Sequence, residues 1–238
     1  MKLLIISDIH ANWTALRAVL DAEPDVDQIL CLGDLVDYGP QPIECVEWAI
    51  RNRTAGCFIQ GNHDWGVATN GDPRPSPPYR HLTAITQRFC MDVLEEGCRS
   101  FLGSLEPLRT LMAAGAKCVA CHATPSDPLF RYLRFSNHDL EAEIELAGAP
   151  DFLFLGHTHW PLTVRSGKTL VVNPGSVGQP KDGDPRAAYA VWRDGEVALR
   201  RAAYDVERTI GAYARVPLDA GTASILAEVL RTGGNLPV

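Results

Sequence analysis

The stretch KLLIISDIHANW, residues 2–13, runs from four consecutive apolar residues into an acid and an imidazole two positions apart. Leu3, Leu4, Ile5 and Ile6 form a short apolar run of the kind that a strand covered on both faces requires. Asp8 and His10 follow as soon as it stops. Further short runs, each ending in a polar cluster, recur at QILCL (28–32), GCFI (56–59), KCVAC (117–121) and DFLFL (151–155). Helical patterns separate the early ones: Trp13, Leu16, Val19 and Leu20, then Ile43, Val46, Glu47 and Ile50 after Pro40 and Pro42. Such alternation predicts strand–helix–strand units with helices on the faces of a buried sheet.

Beyond Gly156 the texture becomes strands and turns. Ser166-Gly167 and Asp194-Gly195 each stand between alternating segments, a hairpin signal. The expected fold is therefore α/β, with two mixed sheets packed face to face and helices outside. Residues 66–78, GVATNGDPRPSPP, hold four prolines and two glycines and read as irregular. They lead into a helical pattern at Leu82, Ile85, Phe89, Val93 and Leu94. We read 66–105 as a lid-like insertion within a single domain spanning 1–238, and 219–231 as a further helix.

Composition narrows the function. The chain has 238 residues, 46% hydrophobic and 21% charged, which suits one large core. A net charge of −7 argues against nonspecific nucleic-acid binding, which needs clustered Lys and Arg. The N-terminal apolar run is too short for a signal peptide or a membrane span, so a cytoplasmic protein is expected. Seven cysteines, an odd number, fit reduced thiols better than disulfides. In CVAC, Cys118 and Cys121 would face opposite sides of a strand, and no second pair completes a zinc cage.

Each strand end delivers groups able to hold a metal: Asp8 and His10 in SDIH, Asp34 in GDLVD, Asn62 and His63 in GNHD, His122 in CHAT, and His157 and His159 in GHTH. Ligands of open α/β sheets bind beyond the carboxyl ends of the strands, so these loops should converge. Mixed oxygen and imidazole donors suit manganese, iron or zinc better than calcium or magnesium. The donors exceed the needs of one ion, and two ions sharing a carboxylate use them all.

In this order the motifs resemble those of the calcineurin-like metallophosphoesterases: D-x-H, G-D-x-x-D, G-N-H-[DE], a lone His after a strand, and G-H-x-H. The resemblance covers at least 1–178 and is closest to the small bacterial and archaeal phosphodiesterase branch. It implies a four-layer αββα sandwich and two divalent ions, manganese first, with iron, zinc or nickel as alternatives. Asp8, His10 and His159 would hold one ion, Asn62, His122 and His157 the other, and Asp34 would bridge them. His63 would face the phosphate, oriented by Asp37. The implied activity is hydrolysis of a phosphodiester or nucleotide polyphosphate by a hydroxide that the two ions activate. Phosphomonoester or protein phosphatase activity and a noncatalytic scaffold, as in a retromer subunit of this fold, are the alternatives, and homo-oligomerisation stays open.

One departure bears on substrate. Protein phosphatases of the family carry Arg after the second Asp of G-D-x-x-D, whereas this chain has Tyr38. Loss of a guanidinium clamp for a dianion favours diesters or polyphosphates. Arg74, Arg80, Arg131 and Arg134 are candidate replacements or simple surface charges. Tyr38, Trp65 and Trp160 are candidate base-stacking faces or core aromatics. NPGSVGQP (173–180) is a turn-rich connection that either lines the site or only joins strands.

Overall fold

The computed structural model describes residues 1–133 and 137–234. Strands β1 (Lys2–Ile6), β2 (Gln28–Cys31) and β3 (Gly56–Phe58) run parallel, connected by helices α1 (Trp13–Ala22) and α2 (Pro42–Asn52). Strand β9 (Ala187–Arg193) pairs antiparallel with β1, and β10 (Glu196–Ala202) with β9, giving the order β10-β9-β1-β2-β3. In the second sheet β5 (Ala116–Cys121), β6 (Phe152–Phe154) and β8 (Thr169–Pro174) are parallel. Its edges are β4 (Leu108–Ala113) and β7 (Pro161–Ser166), both antiparallel to their neighbours, so the order is β4-β5-β6-β8-β7.

Side-chain alternation builds the layers. Leu3 and Ile5 point between the sheets with Leu30, Phe152, Phe154 and Trp192. Leu4 and Ile6 point outward and bury Ala15, Leu16 and Val19 of α1 with Val46, Trp48 and Ala49 of α2. On the other outer face Val119, Cys121, Leu153 and Val171 pack on Leu140 and Ile144 of α6 (Asn137–Leu146). The result is the expected αββα sandwich. Cys118 belongs to the inter-sheet core and Cys121 to the outer cluster, as their three-residue spacing along a strand requires.

Further helices crowd the strand ends that carry the polar motifs. They are α3 (Asn62–Thr69), α4 (Arg80–Val93) and α5 (Glu96–Ser104), and near the C-terminus α7 (Val206–Ala212) and α8 (Ala220–Thr232). Tyr38, Tyr79, Leu82 and Phe89 form a separate cluster with Tyr213, Leu226 and Leu230, so the C-terminal helices pack onto the loop after β2.

Three readings need correction. Gly66–Thr69 is helical, completing α3, because the first proline of the segment comes only at Pro73; Pro77–Tyr79 forms a short 3-10 turn. Strand β4 was not foreseen from the sequence: it is an edge strand with Met112 66% exposed, so it lacks a clean apolar alternation. Its turn to β5 uses Ala114 and Gly115 with both φ values positive, and alanine gives no sign of such a turn. In α2 the buried face is Cys45, Val46, Trp48 and Ala49, while Ile43 is exposed. The hairpin at Asp194-Gly195 forms as read, with φ of 53° and 88°; in the other hairpin the turn pair is Gly167-Lys168, between Ser166 and Thr169.

The position of β1 is secured by a buried carboxylate at the end of α1. Glu23 accepts from Arg200 at 2.6 Å and from the Tyr189 hydroxyl at 3.0 Å, and pairs with Lys2 at 2.8 Å, tying the helix to β1, β9 and β10. Burial alone would raise its pKa, but bonds from Lys2, Arg200 and Tyr189 outweigh that and lower it below 4.5. A depressed carboxylate stabilises above the unfolded-state pKa and loses that contribution as pH falls through the folded value. Glu23→Gln is therefore expected to lose about 1–3 kcal/mol in urea unfolding at pH 7. The gap from wild type should shrink below about pH 4.5, the ordinary value for this group. A gap that does not change with pH would contradict the assignment.

Candidate metal centre

All seven residues read as metal ligands reach one buried crevice at the carboxyl ends of the strands. Asp8 and His10 follow β1, Asp34 follows β2, Asn62 opens α3 after β3, His122 follows β5, and His157 and His159 follow β6. Each is at most 4% exposed, unusual for charged and imidazole groups without partners of opposite character. The donor atoms of Asp8, His10 and His159 lie within 4.8 Å of one another, as do those of Asp34, His122 and His157.

The backbone is strained where it presents them. Asp8, His10, Asp34, His157 and His159 have φ of 53°, 45°, 58°, 65° and 60°. For residues with a Cβ this left-handed region costs about 1–2 kcal/mol each. Neighbouring strand-end loops hold them there by main-chain bonds: Asp8 N donates to Gly33 O at 3.0 Å and His10 N to Asp34 O at 2.9 Å. The NPGSVGQP connection serves the same end. Gly178 N and Ser176 Oγ both donate to the Asp8 carbonyl, at 3.0 and 2.7 Å. Any Cβ at Gly178 would collide with the Ile9 carbonyl, so only glycine lets this clamp close.

Hydrogen bonds also fix the imidazole tautomers. The Nδ1 atoms of His10, His122 and His159 lie 2.9, 2.7 and 2.6 Å from the carbonyls of Val36, Leu32 and Gln179, so each Nδ1 carries the proton. Their Nε2 atoms then aim inward. His10 Nε2 faces His159 Nε2 at 3.1 Å, and Asp8 Oδ1 lies 3.2 Å from the latter. His122 Nε2 is surrounded by Asn62 Oδ1 at 2.9 Å, Asp34 Oδ2 at 3.2 Å and His157 Nδ1 at 3.2 Å. Asp8 Oδ1 and His157 Nε2 are buried without a hydrogen-bond donor.

The electrostatics follow. Burial is the largest influence on His10 and His157 and drives both well below 6.5, and burial with Lys181 lowers His159. Burial would raise the carboxylates too, but the charges of His122 and His63 hold Asp34 well below 3.8, and His159 and His122 do so for Asp8. His122 goes the other way: burial opposes its charge, yet Asp34 and Asp8 raise it to about 9. One proton on His122 cannot satisfy three acceptors at once. Ionised oxygens and inward lone pairs at this spacing fit divalent cations, which accept from several donors together.

Asp34 joins the two groups, with Oδ2 3.2 Å from His122 Nε2 and 3.7 Å from His10 Nε2. Its Oδ1 accepts from the His63 backbone N at 2.9 Å. The His63 ring bonds Asp37 through Nδ1 at 2.7 Å, leaving Nε2 as the nitrogen free to serve a ligand. Burial lowers the His63 pKa, but Asp34 and Asp37 outweigh it and the net shift is upward.

Several residues with a part in the site escaped the sequence reading. Asp64 accepts from the backbone N of Asp34 and Leu35, both at 2.8 Å, and of Gly61 at 3.0 Å, so it holds the bridging position in place. Burial and the Asp34 charge raise its pKa to about 7. Its only sequence signal is its place in GNHD. Pro73, in the segment read as a lid, accepts from Asn62 Nδ2 at 2.7 Å and so turns Oδ1 of that amide inward. Tyr132 lies over His157 with ring centroids 4.0 Å apart. Lys181, directly after NPGSVGQP, lies over the Tyr79 ring.

Other candidates fall outside the centre. Tyr38 is buried, its hydroxyl accepting from Thr83 Oγ1 at 2.9 Å, and offers no open face to a base. Trp65 packs edge-on to Phe130, while Trp160 is 48% exposed. Arg131 is paired with Glu143 and Asp139, Arg74 stacks on Phe130, Arg80 is exposed, and Arg134 lies outside the described residues.

Comparison with known proteins agrees with this geometry. Residues 1–193 match the model of the calcineurin-like phosphoesterase superfamily domain. A protein of Methanocaldococcus jannaschii, described as uncharacterized, is 32% identical over 225 residues, covering 86% of this chain and 88% of its own. The crystal structure of a metallophosphoesterase from Sphaerobacter thermophilus superposes with a TM-score of 0.79 at 32% identity, over 98% of this chain and 100% of that one. Phosphodiesterase YfcE of Escherichia coli is 27% identical over 197 residues, covering 80% of this chain and 86% of its own. Among the described residues no helix is long and apolar enough to cross a membrane.

Asp64→Ala removes a group that touches no proposed ligand side chain but fixes the Asp34 backbone. We expect it to weaken manganese binding about 10–100-fold in calorimetric titration while far-UV circular dichroism stays native. Unchanged affinity would mean that the Asp34 loop holds its position without Asp64.

Proposed function

Because the chain belongs to the calcineurin-like phosphoesterase superfamily, we propose that it is a dinuclear metal-dependent phosphodiesterase acting on a phosphodiester or nucleotide polyphosphate. The observation that carries the reading is the placement of one buried carboxylate, Asp34, within 3.7 Å of a ligand nitrogen from each of two three-residue groups. Asp8, His10 and His159 would hold one ion and Asn62, His122 and His157 the second, with Asp34 available to both. Manganese is our first choice, with iron, zinc or nickel compatible with the same donors. Divalent ions there would acidify a water for attack on phosphorus and offset the charge of the phosphoryl oxygens.

The chain's own groups complete the chemistry. Asp37 fixes the His63 ring through Nδ1, and its carboxylate, which is not among the proposed ligands, favours the protonated imidazole. Through Nε2, His63 donates to the phosphoryl group or to the departing alkoxide. The bond from Asn62 to the Pro73 carbonyl and the packing of Tyr79 on Tyr38 support reading the start of the 66–105 segment as a lid-like wall of the crevice. A buried Tyr38 where related phosphatases carry arginine favours a substrate of lower charge per phosphorus, a diester. The name of the Escherichia coli relative supports the same class.

Chelator-stripped protein with added manganese is expected to hydrolyse bis(p-nitrophenyl) phosphate faster than p-nitrophenyl phosphate, and Asp34→Asn to abolish both reactions. Preference for the monoester would reject the diester assignment; turnover that persists in Asp34→Asn would reject the site. His63→Ala is expected to keep its manganese content and lose at least about tenfold in kcat. An unaltered kcat would remove His63 from the chemistry.

A further inference from the structure

Lys181 is an unusual lysine. It is part-buried, and its ammonium lies 4.3 Å from the centroid of the Tyr79 ring. Tyr79 touches Tyr38 at 5.8 Å between centroids, and Tyr38 touches both His10 and His63, at 4.8 and 4.9 Å. The lysine therefore stands on the wall that backs the metal centre. Its charge is felt by Asp8, Asp34 and His159. Among the described residues no carboxylate pairs with it, and the tyrosine ring faces its ammonium. Arg131 and Arg74, by contrast, are already engaged by Glu143 and Phe130.

The segment around Lys181 is held on both sides. Upstream, Gln179 N donates to Ser176 Oγ at 2.8 Å, and Gln179 O accepts from His159 at 2.6 Å. Downstream, Arg201 pairs with Asp182 and donates to the carbonyls of Asp184 and Arg186 at 3.2 and 3.0 Å, while Gly183 N donates to Gly233 O at 2.7 Å. Such anchoring places the ammonium before any ligand arrives, which lowers the ordering cost of binding.

Charge balance then indicates what the ammonium meets. Asp8 and Asp34 attract it, but once their charge is matched by divalent cations that attraction turns to repulsion unless an anion lies between. We propose that Lys181 is a substrate-binding residue whose ammonium takes a non-bridging oxygen of a phosphodiester on the His159 side of the metal centre. It supplies there the positive charge that Tyr38 does not. The proposal rests on the phosphodiesterase reading above and adds a specificity residue to it. A single compact ammonium, unlike a forked guanidinium, suits the one negative charge of a diester.

Lys181→Met keeps the stem over Tyr79 and removes only the charge; Lys181→Arg keeps the charge. With manganese-loaded protein, Lys181→Met is expected to lower kcat/KM for bis(p-nitrophenyl) phosphate at least about tenfold, chiefly through KM, since charged hydrogen bonds contribute on this scale. Its manganese content should match wild type. Inorganic phosphate, titrated calorimetrically, should bind it at least about tenfold more weakly. Lys181→Arg should recover most of both losses. Wild-type kcat/KM and phosphate affinity in Lys181→Met would overturn the proposal, as would equal losses in the Met and Arg variants. If wild type binds manganese but cleaves no diester, the phosphodiesterase reading fails. The phosphate titration then still decides whether Lys181 binds the anion.

Discussion

Asp34 is a carboxylate withdrawn from water at the point where the loops of both sheets meet. An ionised oxygen in that position is costly unless donors or cations surround it. Here one oxygen receives the His63 backbone N–H and the other is turned toward His122 and His10. The rest of the crevice is organised around that requirement. Three histidines have one nitrogen spent on a main-chain carbonyl, so the other is turned toward the same centre. Such a centre is complete only with positive charge inside it, and binding of the proposed ions would thereby be coupled to the stability of the surrounding loops.

Those loops show the cost of the arrangement in their dihedral angles. Left-handed backbone at five of the seven proposed ligands is far above the few per cent expected for residues with a Cβ. It persists because adjacent strand ends bond to each other before any helix begins, and because Asp64 and the 173–180 connection fix the carbonyls and amides behind the ligands. Parallel strands make this possible, since they bring successive loops to the same edge of the sandwich. The same topology explains why the polar groups cluster at one end while the inter-sheet core stays apolar.

Much of this was legible in the sequence because each ligand sits within four residues of the end of an apolar run. The unbroken apolar run Leu3–Ile6 foretold a strand covered on both sides, and the placement of the polar groups at strand ends foretold convergence. Asp64, Ser176 and Pro73 were not legible as parts of the site because each bond they make there has a backbone group at one end, which leaves no trace in residue type. Lys181 was missed for another reason: what distinguishes it is proximity to Tyr79, more than 100 positions away in the chain. Strand β4 and the turned face of α2 escaped because an exposed edge and a short helix carry weak periodicity, which tertiary packing overrides.

Tyr38 ties substrate class to architecture. Its ring packs against His10, His63 and Tyr79, its hydroxyl meets Thr83 of α4, and its carbonyl accepts from the Tyr213 hydroxyl. The position that would carry a guanidinium in a phosphatase thus serves here as the seat for the C-terminal helices. Restoring arginine there would place a charge in an apolar cluster and strip Thr83 of its partner, so the site cannot regain a clamp at 38 without loosening the wall. Any cation that helps the proposed metal centre hold an anion would have to come from elsewhere on that wall. Tyr79, which extends the aromatic surface outward from Tyr38, is where the chain places an ammonium.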